Sequence, residues 1–246
     1  HVRHPLHLGI AGCWGEYPAQ EAARNADVIL VLGCRFSDIH ASSWLPGYTY
    51  NIPPTRLIHV DIDPQEIGRN YPTELGIIGD VREVLRQLSE LAERAGPKRE
   101  RTGWNEQVEA WKSEWSNFIE PEKASGAVPI DPRRVIKELR AAASDDTLMI
   151  TDTGNHQTWV EQYWDAYGPQ MVFTPGGFAT MGFGSPAALG AKLARPDKVV
   201  VALIGDGGFG QNPAALATAF DEDIAVIWVI MNNHAFGMIA GLEKAH

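Results

Sequence analysis

Two apolar runs constrain this chain most: Val199–Ile204, which opens into Gly205-Asp206-Gly207, and Ile224–Met231, which ends in Asn232-Asn233. Continuous apolar runs of this length, bounded by glycine or asparagine, read as strands buried on both faces of a parallel sheet. A strand that opens into glycines meets the N-terminus of the next helix, where free backbone N–H groups receive phosphate oxygens. Asp206 sets a condition. A carboxylate between two glycines at a phosphate site repels its ligand unless a divalent cation lies between them, so the motif asks for a metal as well as a diphosphate. The second run delivers Asn232 and Asn233 to a neighbouring strand end, and an amide oxygen suits a hard cation such as Mg²⁺.

The rest of the chain repeats the same grammar. The spacing predicts a helix over Ala19–Ala26, strands at Val28–Leu32, Leu57–Ile62 and Ile77–Ile78, and a helix after Asp80. That helix places Val81, Val84, Leu85, Leu88 and Leu91 on one face and closes at Gly96-Pro97. Residues 98–128 are polar, with Trp104, Trp111 and Trp115 in one expected helix over 104–118 packed by its aromatic residues. Asp131-Pro132 then starts a second series: helix 133–143, strand 147–152, helical turn 156–166, strand 171–174, helix 186–194, strand 199–205, helix 213–220 and strand 224–231. The fold class expected is α/β, with two Rossmann-like three-layer α/β/α domains on parallel sheets at 1–96 and 129–246 and a linker at 97–128.

The totals narrow the partners. Thirty-one acidic against 21 basic residues give a net charge of −10, which disfavours nucleic acid and an anionic membrane surface. Cys13 and Cys34 make neither a disulfide framework nor a zinc spacing, and no apolar run has spanning length, so a cytoplasmic setting is the expectation.

The Gly-Asp-Gly triplet and the asparagine pair together resemble the thiamine-diphosphate motif. By that resemblance Asp206, the Asn233 side chain and the Ala235 carbonyl hold Mg²⁺, and Gly205, Gly207 and Gly208 lie against the diphosphate. The same letters, Gly205 to Gly210, also satisfy G-x-G-x-x-G, so a dinucleotide fingerprint and a purely structural glycine turn stand beside this reading. Against the dinucleotide, the following strand ends in asparagines rather than in an acidic residue for a ribose.

Further stretches are similar to the acetolactate (acetohydroxyacid) synthase branch. Thr151 to Gln157 resembles the segment that touches the diphosphate, with Asn155 and His156 as contacts. Gly176 to Gly184 resembles the loop beneath the cofactor: Met181 is the implied wedge between the two rings, its N–H and the Ala179 carbonyl binding the pyrimidine edge. The first domain resembles the central domain of these enzymes, with Gly12, Gly15, Gly33, Arg35, Asp61 and Asp80 where FAD is contacted. Ser37 and Ile39 depart from that domain's pattern, so FAD, an ADP-type nucleotide and a relic site all stand open.

The resemblance implies decarboxylation of pyruvate and its joining to a second oxo acid to give acetolactate. It also implies a homodimer or homotetramer, and a separate pyrimidine-binding domain whose glutamate activates the cofactor. That domain and its glutamate are expected to be missing from this chain, which is then expected to be inactive alone. Gly241 and Leu242 stand where biosynthetic members carry a Gln-Trp pair, which opens relatives such as cyclohexanedione hydrolase or benzaldehyde lyase acting on other ketones. A non-catalytic piece that binds a nucleotide or a partner is the reading from another class.

Overall fold

The computed structural model describes residues 2–96 and 102–245; the expected closing Pro97, the first linker residues and the two terminal histidines lie outside them, as do the side chains of Thr102, Leu242 and Ala245. The chain forms two compact units, Leu8–Phe118 and Ile119–His246 with His1–His7.

In the first unit, α1 (Tyr17–Asn25) leads into β1 (Val28–Leu32), followed by a 3₁₀ turn (Ile39–Trp44), β2 (Arg56–Asp61), β3 (Leu75–Ile78) and α2 (Val81–Arg94). The three strands are parallel, in the order β1-β2-β3. One face packs Val31, Leu57, Phe36 and Tyr71. The Phe36 ring meets Tyr50, His59 and Tyr71 edge-on at 5.3, 5.6 and 5.1 Å. Burial pushes the Tyr50 phenol up to about 12, because the low-dielectric cluster disfavours its anion. Asp80 caps α2 by accepting from the Arg82 and Glu83 amides. The apolar face of α2 is engaged only at its start, where Val81 and Val84 are half-buried; Leu85, Leu88 and Leu91 are exposed.

The helix expected over 104–118 is α3 (Thr102–Lys123). Trp111 and Val108 are buried in it, Trp104 lies edge-on to Trp111 at 5.7 Å, and Trp115 stacks on Phe118. These rings form a packing stripe at helical spacing.

The second unit runs α4 (Pro132–Ala142), β4 (Leu148–Thr151), α5 (Asn155–Tyr163), β5 (Val172–Phe173), a 3₁₀ turn (Gly176–Phe178), α6 (Gly184–Ala194), β6 (Val200–Gly205), α7 (Asp206–Gln211), α8 (Ala214–Asp221), β7 (Ile227–Met231) and α9 (Gly237–Ala245). All four strands are parallel, in the order β5-β4-β6-β7. Odd and even positions of β4 and β6 feed separate cores: Met149, Val201 and Leu203 pack with Ile136 and Val160 on one face, and Ile150, Ala202 and Ile204 pack with Ala188 on the other. This is the three-layer α/β/α arrangement.

Three details differ from expectation. Ile224 packs with Leu189 and Ala215 under α8 and does not enter β7, which begins at Ile227. A short helix, α7, precedes the expected one and starts at Asp206 itself. The last helix, α9, carries Gly237 and Gly241, which hide a helical signal.

Leu203→Ala, a fully buried change in the central strand, is expected to cost about 2–5 kcal/mol, against less than about 0.5 kcal/mol for the exposed Leu216→Ala, by urea denaturation followed by circular dichroism. Equal midpoints for the two variants would contradict the placement of the core.

Candidate functional site

From β4 the chain passes first to β5 on one side and later to β6 on the other, so the carboxyl ends of β4 and β6 flank a crevice. There a cavity of about 520 Å³ is lined by Thr153, Asn155, His156, Met181, Gly205 to Gly208, Asn233, Ala235 and Phe236, among others. The structure thus gathers residues that lie up to 110 positions apart in sequence, from Pro129 to Ile239, around one space.

Glycines set how closely backbone and side chains approach there. A Cβ on Gly207 would lie 2.7 Å from the Phe236 ring and 3.2 Å from the Met181 methyl carbon, and one on Gly208 would lie 2.9 Å from Asp152 Oδ2. One on Gly205 would lie 3.1 Å from His156. Gly210, by contrast, has nothing within 4 Å of such an atom. The last glycine of a dinucleotide fingerprint serves close helix-to-strand packing, so its freedom here argues against that reading.

Asp206 is half-buried as the first residue of α7. Asn233 sits in the turn after β7, where its Oδ1 accepts from the Ala235 amide at 3.1 Å; Asn232 makes the same turn with His234 at 3.0 Å. These turns orient the amide oxygens after the strand ends. Among the described residues no group of three His, Cys, Asp or Glu gathers to hold a metal. The cavity wall carries the Asp206 carboxylate, the Asn233 side-chain amide and the Ala235 backbone, oxygen donors of the hard kind that suits a divalent cation.

Two polar atoms on the wall, His156 Nε2 and Thr153 Oγ1, are buried without a hydrogen-bond partner. Burial lowers the His156 pKa to about 4, with Asp152 and Asp206 opposing the shift, so the ring is neutral near pH 7. Unpartnered buried groups of this kind fit a site completed by a ligand.

The loop before α6 is held just after Met181. Ala179 adopts a left-handed φ of 46°, is exposed and stands off the cavity lining; the structure does not bring it together with the other expected contacts. Gly182, at φ 84°, and Gly184 donate to the buried Asp152 carboxylate. Sequence reasoning gave Asp152 and Phe236 no role; a carboxylate directly after a buried strand was the available signal for the first.

Residues 152–246 match the family described as thiamine pyrophosphate enzyme, C-terminal TPP binding domain, and residues 1–88 match the thiamine pyrophosphate enzyme central domain. The chain thus carries the central and the C-terminal TPP binding domains of the thiamine pyrophosphate enzymes. It is 34% identical to the probable acetolactate synthase large subunit of Methanococcus aeolicus, covering 96% of this chain and 40% of that protein. It is 36% identical to the one from Methanocaldococcus jannaschii, over 96% and 39%. To the acetolactate synthase large subunit of Lactococcus lactis it is 35% identical, over 99% and 40%. The chain therefore spans about 40% of the length of these curated relatives.

The other expected contacts fall in the unit Leu8–Phe118. Gly33 follows β1 at φ 64°, Asp61 ends β2 and Asp80 follows β3, so all three sit at carboxyl ends of parallel strands. Asp61 also braces its own turn by accepting from Asp63 N at 2.9 Å, and Arg35 is exposed. Gly12, at φ 108°, lies where a side chain would run into the His40 carbonyl, and Gly15 packs on the Gly12 and Ile10 carbonyls. Among the described residues, no helix is long and apolar enough to cross a membrane.

A histidine kept neutral by folding but free to charge when unfolded makes stability rise with pH between its two pKa values. The unfolded chain binds the proton first, so His156 is expected to cost stability progressively as pH falls from 6.5 towards about 4. Urea denaturation at pH 7, 5.5 and 4.5 checks this: the wild type should lose more stability over that range than His156→Gln, and parallel profiles would contradict it.

Proposed function

We propose that this chain forms part of a thiamine-diphosphate- and Mg²⁺-dependent enzyme that decarboxylates pyruvate and ligates the product to a second 2-oxo acid, giving acetolactate. The observation that carries this reading is the delivery of Asp206 and Asn233, from the ends of the neighbouring strands β6 and β7, to the wall of one cavity floored by Gly205, Gly207 and Gly208. The relatives' names support the same chemistry.

In this reading Asp206, Asn233 Oδ1 and the Ala235 carbonyl hold the cation, which screens the diphosphate from the Asp206 carboxylate. Asn155, the neutral His156 and the backbone around Gly205–Gly208 meet the diphosphate oxygens, and Met181 props the rings above Gly207. The Ala179 carbonyl takes the pyrimidine edge only if its loop turns inward, since it stands off the cavity here. When bound, thiamine diphosphate supplies the electron sink for carbon–carbon cleavage and ligation, while the chain orients it and excludes water.

A second reading within enzymes, cleavage or hydrolysis of a bulkier ketone, is favoured by one feature. Met238 and Ile239 of α9 line the cavity, while Gly241 on the same helix has open space about it, so no large side chain at that position narrows this end. The parts proposed around this core follow the same family: boundaries at 1–96, 97–128 and 129–246, FAD or an ADP-type nucleotide at Gly33, Asp61 and Asp80, a homodimer or homotetramer, and a cytoplasmic setting.

Calorimetry of the intact protein with thiamine diphosphate and Mg²⁺ is expected to give saturable heat, weakened at least about a hundredfold by Asp206→Ala through loss of a cation ligand. Heat that is absent, or unchanged in that variant, would refute the cation bridge. Product analysis after pyruvate alone, on a cofactor-loaded protein that includes the activating glutamate, then tests the first reading: acetolactate supports it, and no acetolactate removes it.

A further inference from the structure

Asp152 is fully buried at the end of β4, in the layer beneath the cavity, and is not among the cavity-lining residues. Its Oδ1 accepts from the Thr153 amide at 2.7 Å and from Gly182 N at 3.1 Å. Its Oδ2 accepts from Gly182 N at 2.9 Å and Gly184 N at 3.1 Å. A buried carboxylate is tolerated when amides surround it in this way, and hydrogen bonds to a charged acceptor are the stronger kind. All but one of these bonds go to the two residues at one and three positions after Met181.

The other side of the same peptide is held too. Asn212, in the bend between α7 and α8, donates its side-chain amide to the Gly182 carbonyl at 2.6 Å. Gly182 is thus clamped at its N–H by the β4 end and at its carbonyl by the segment after Asp206, in a left-handed conformation at φ 84° that a side chain would strain. Packing admits no slack: a Cβ on Gly184 would lie 3.1 Å from Asp152 Cβ, and one on Gly208 would lie 2.9 Å from Asp152 Oδ2. One carboxylate therefore fixes both the loop that presents Met181 and its distance from the glycine floor.

We propose that Asp152, with Asn212, is the positioning residue that sets the height of Met181 over Gly207, and so the shape of the space that receives the cofactor's rings. The proposal rests on the thiamine diphosphate reading for what Met181 meets, but the clamp itself stands without it. Asp152→Asn keeps the size of the group and replaces one acceptor oxygen by an NH₂ that confronts the amides it formerly bonded. Asn212→Ala removes the second hold at an exposed position, where folding is not at stake.

Hydrogen exchange of the intact, ligand-free protein tests the clamp. The Gly182 and Gly184 amides should exchange about tenfold faster in Asp152→Asn, and the flanking loop should loosen in Asn212→Ala, with the amides of β6 unchanged. Titration with thiamine diphosphate and Mg²⁺ tests its purpose. Each variant should weaken binding about tenfold, and Asp152→Asn should add nothing further in a Met181→Ala background, because one acts through the other. Unchanged exchange in both variants, or losses that multiply with Met181→Ala, would overturn the proposal; should Asp152→Asn fail to fold, Asn212→Ala decides both arms alone. A wild type that binds no thiamine diphosphate would refute the cofactor reading and with it the role of Met181, while exchange still reports whether the clamp exists.

Discussion

The site depends on the pairing of β4 with β6. Because both strands are buried on both faces, each must be apolar almost to its last residue, and polar chemistry is confined to the residues immediately after the strand ends. Because the strands are parallel, those ends lie side by side. Because the chain departs to β5 from one and to β7 from the other, no connection covers the gap between them. Asp152 and Asp206 are the first residues past β4 and β6, so two carboxylates arrive at one crevice by topology alone.

That convergence creates an electrostatic problem with two different solutions. Asp152 is turned into the protein, where three backbone amides surround it. Asp206 opens a helix at the cavity wall and has no such shell; His156 beside it stays neutral because burial outweighs both carboxylates. A negatively charged ligand at this wall meets the Asp206 carboxylate, an unfavourable pairing that a divalent cation between them would relieve. The first carboxylate is thus held within the fold, while the second stays at the cavity wall.

Much of this was legible in the sequence, for reasons that particular residues make plain. Val200–Gly205 is apolar without interruption, which only a doubly covered strand tolerates, so β6 and the glycines after it stood out; Asp131-Pro132 marked the start of α4 by its capping chemistry, and Asp131 does accept from Arg133 N. Ile224 misled because an apolar residue beside a strand reads as part of it, whereas it fills a gap under α8. The helix α9 was hidden by two glycines. Ala179 could not be placed by pattern, since a left-handed φ at a residue other than glycine leaves no mark in residue type. Asp152 was invisible as a support because two of its three amide partners lie thirty or more residues away and, being backbone, leave no mark in residue type.

The distribution of burial across the site explains how rigidity and access coexist. Asp152, Gly182, Ser185 and Ile204 form a closed lower layer, while Met181 is half-buried and Phe236 and Asn233 are exposed above it. A ligand that enters the cavity therefore meets side chains whose backbones are fixed from below but whose upper surfaces still face solvent. Preorganisation of this kind needs a dense support more than it needs a tight pocket, because the orientation of a contact is set by the shell behind it. In this chain that shell is built from strand ends, glycines and one buried carboxylate, and so the precision of the site is a property of the sheet rather than of the loops that line it.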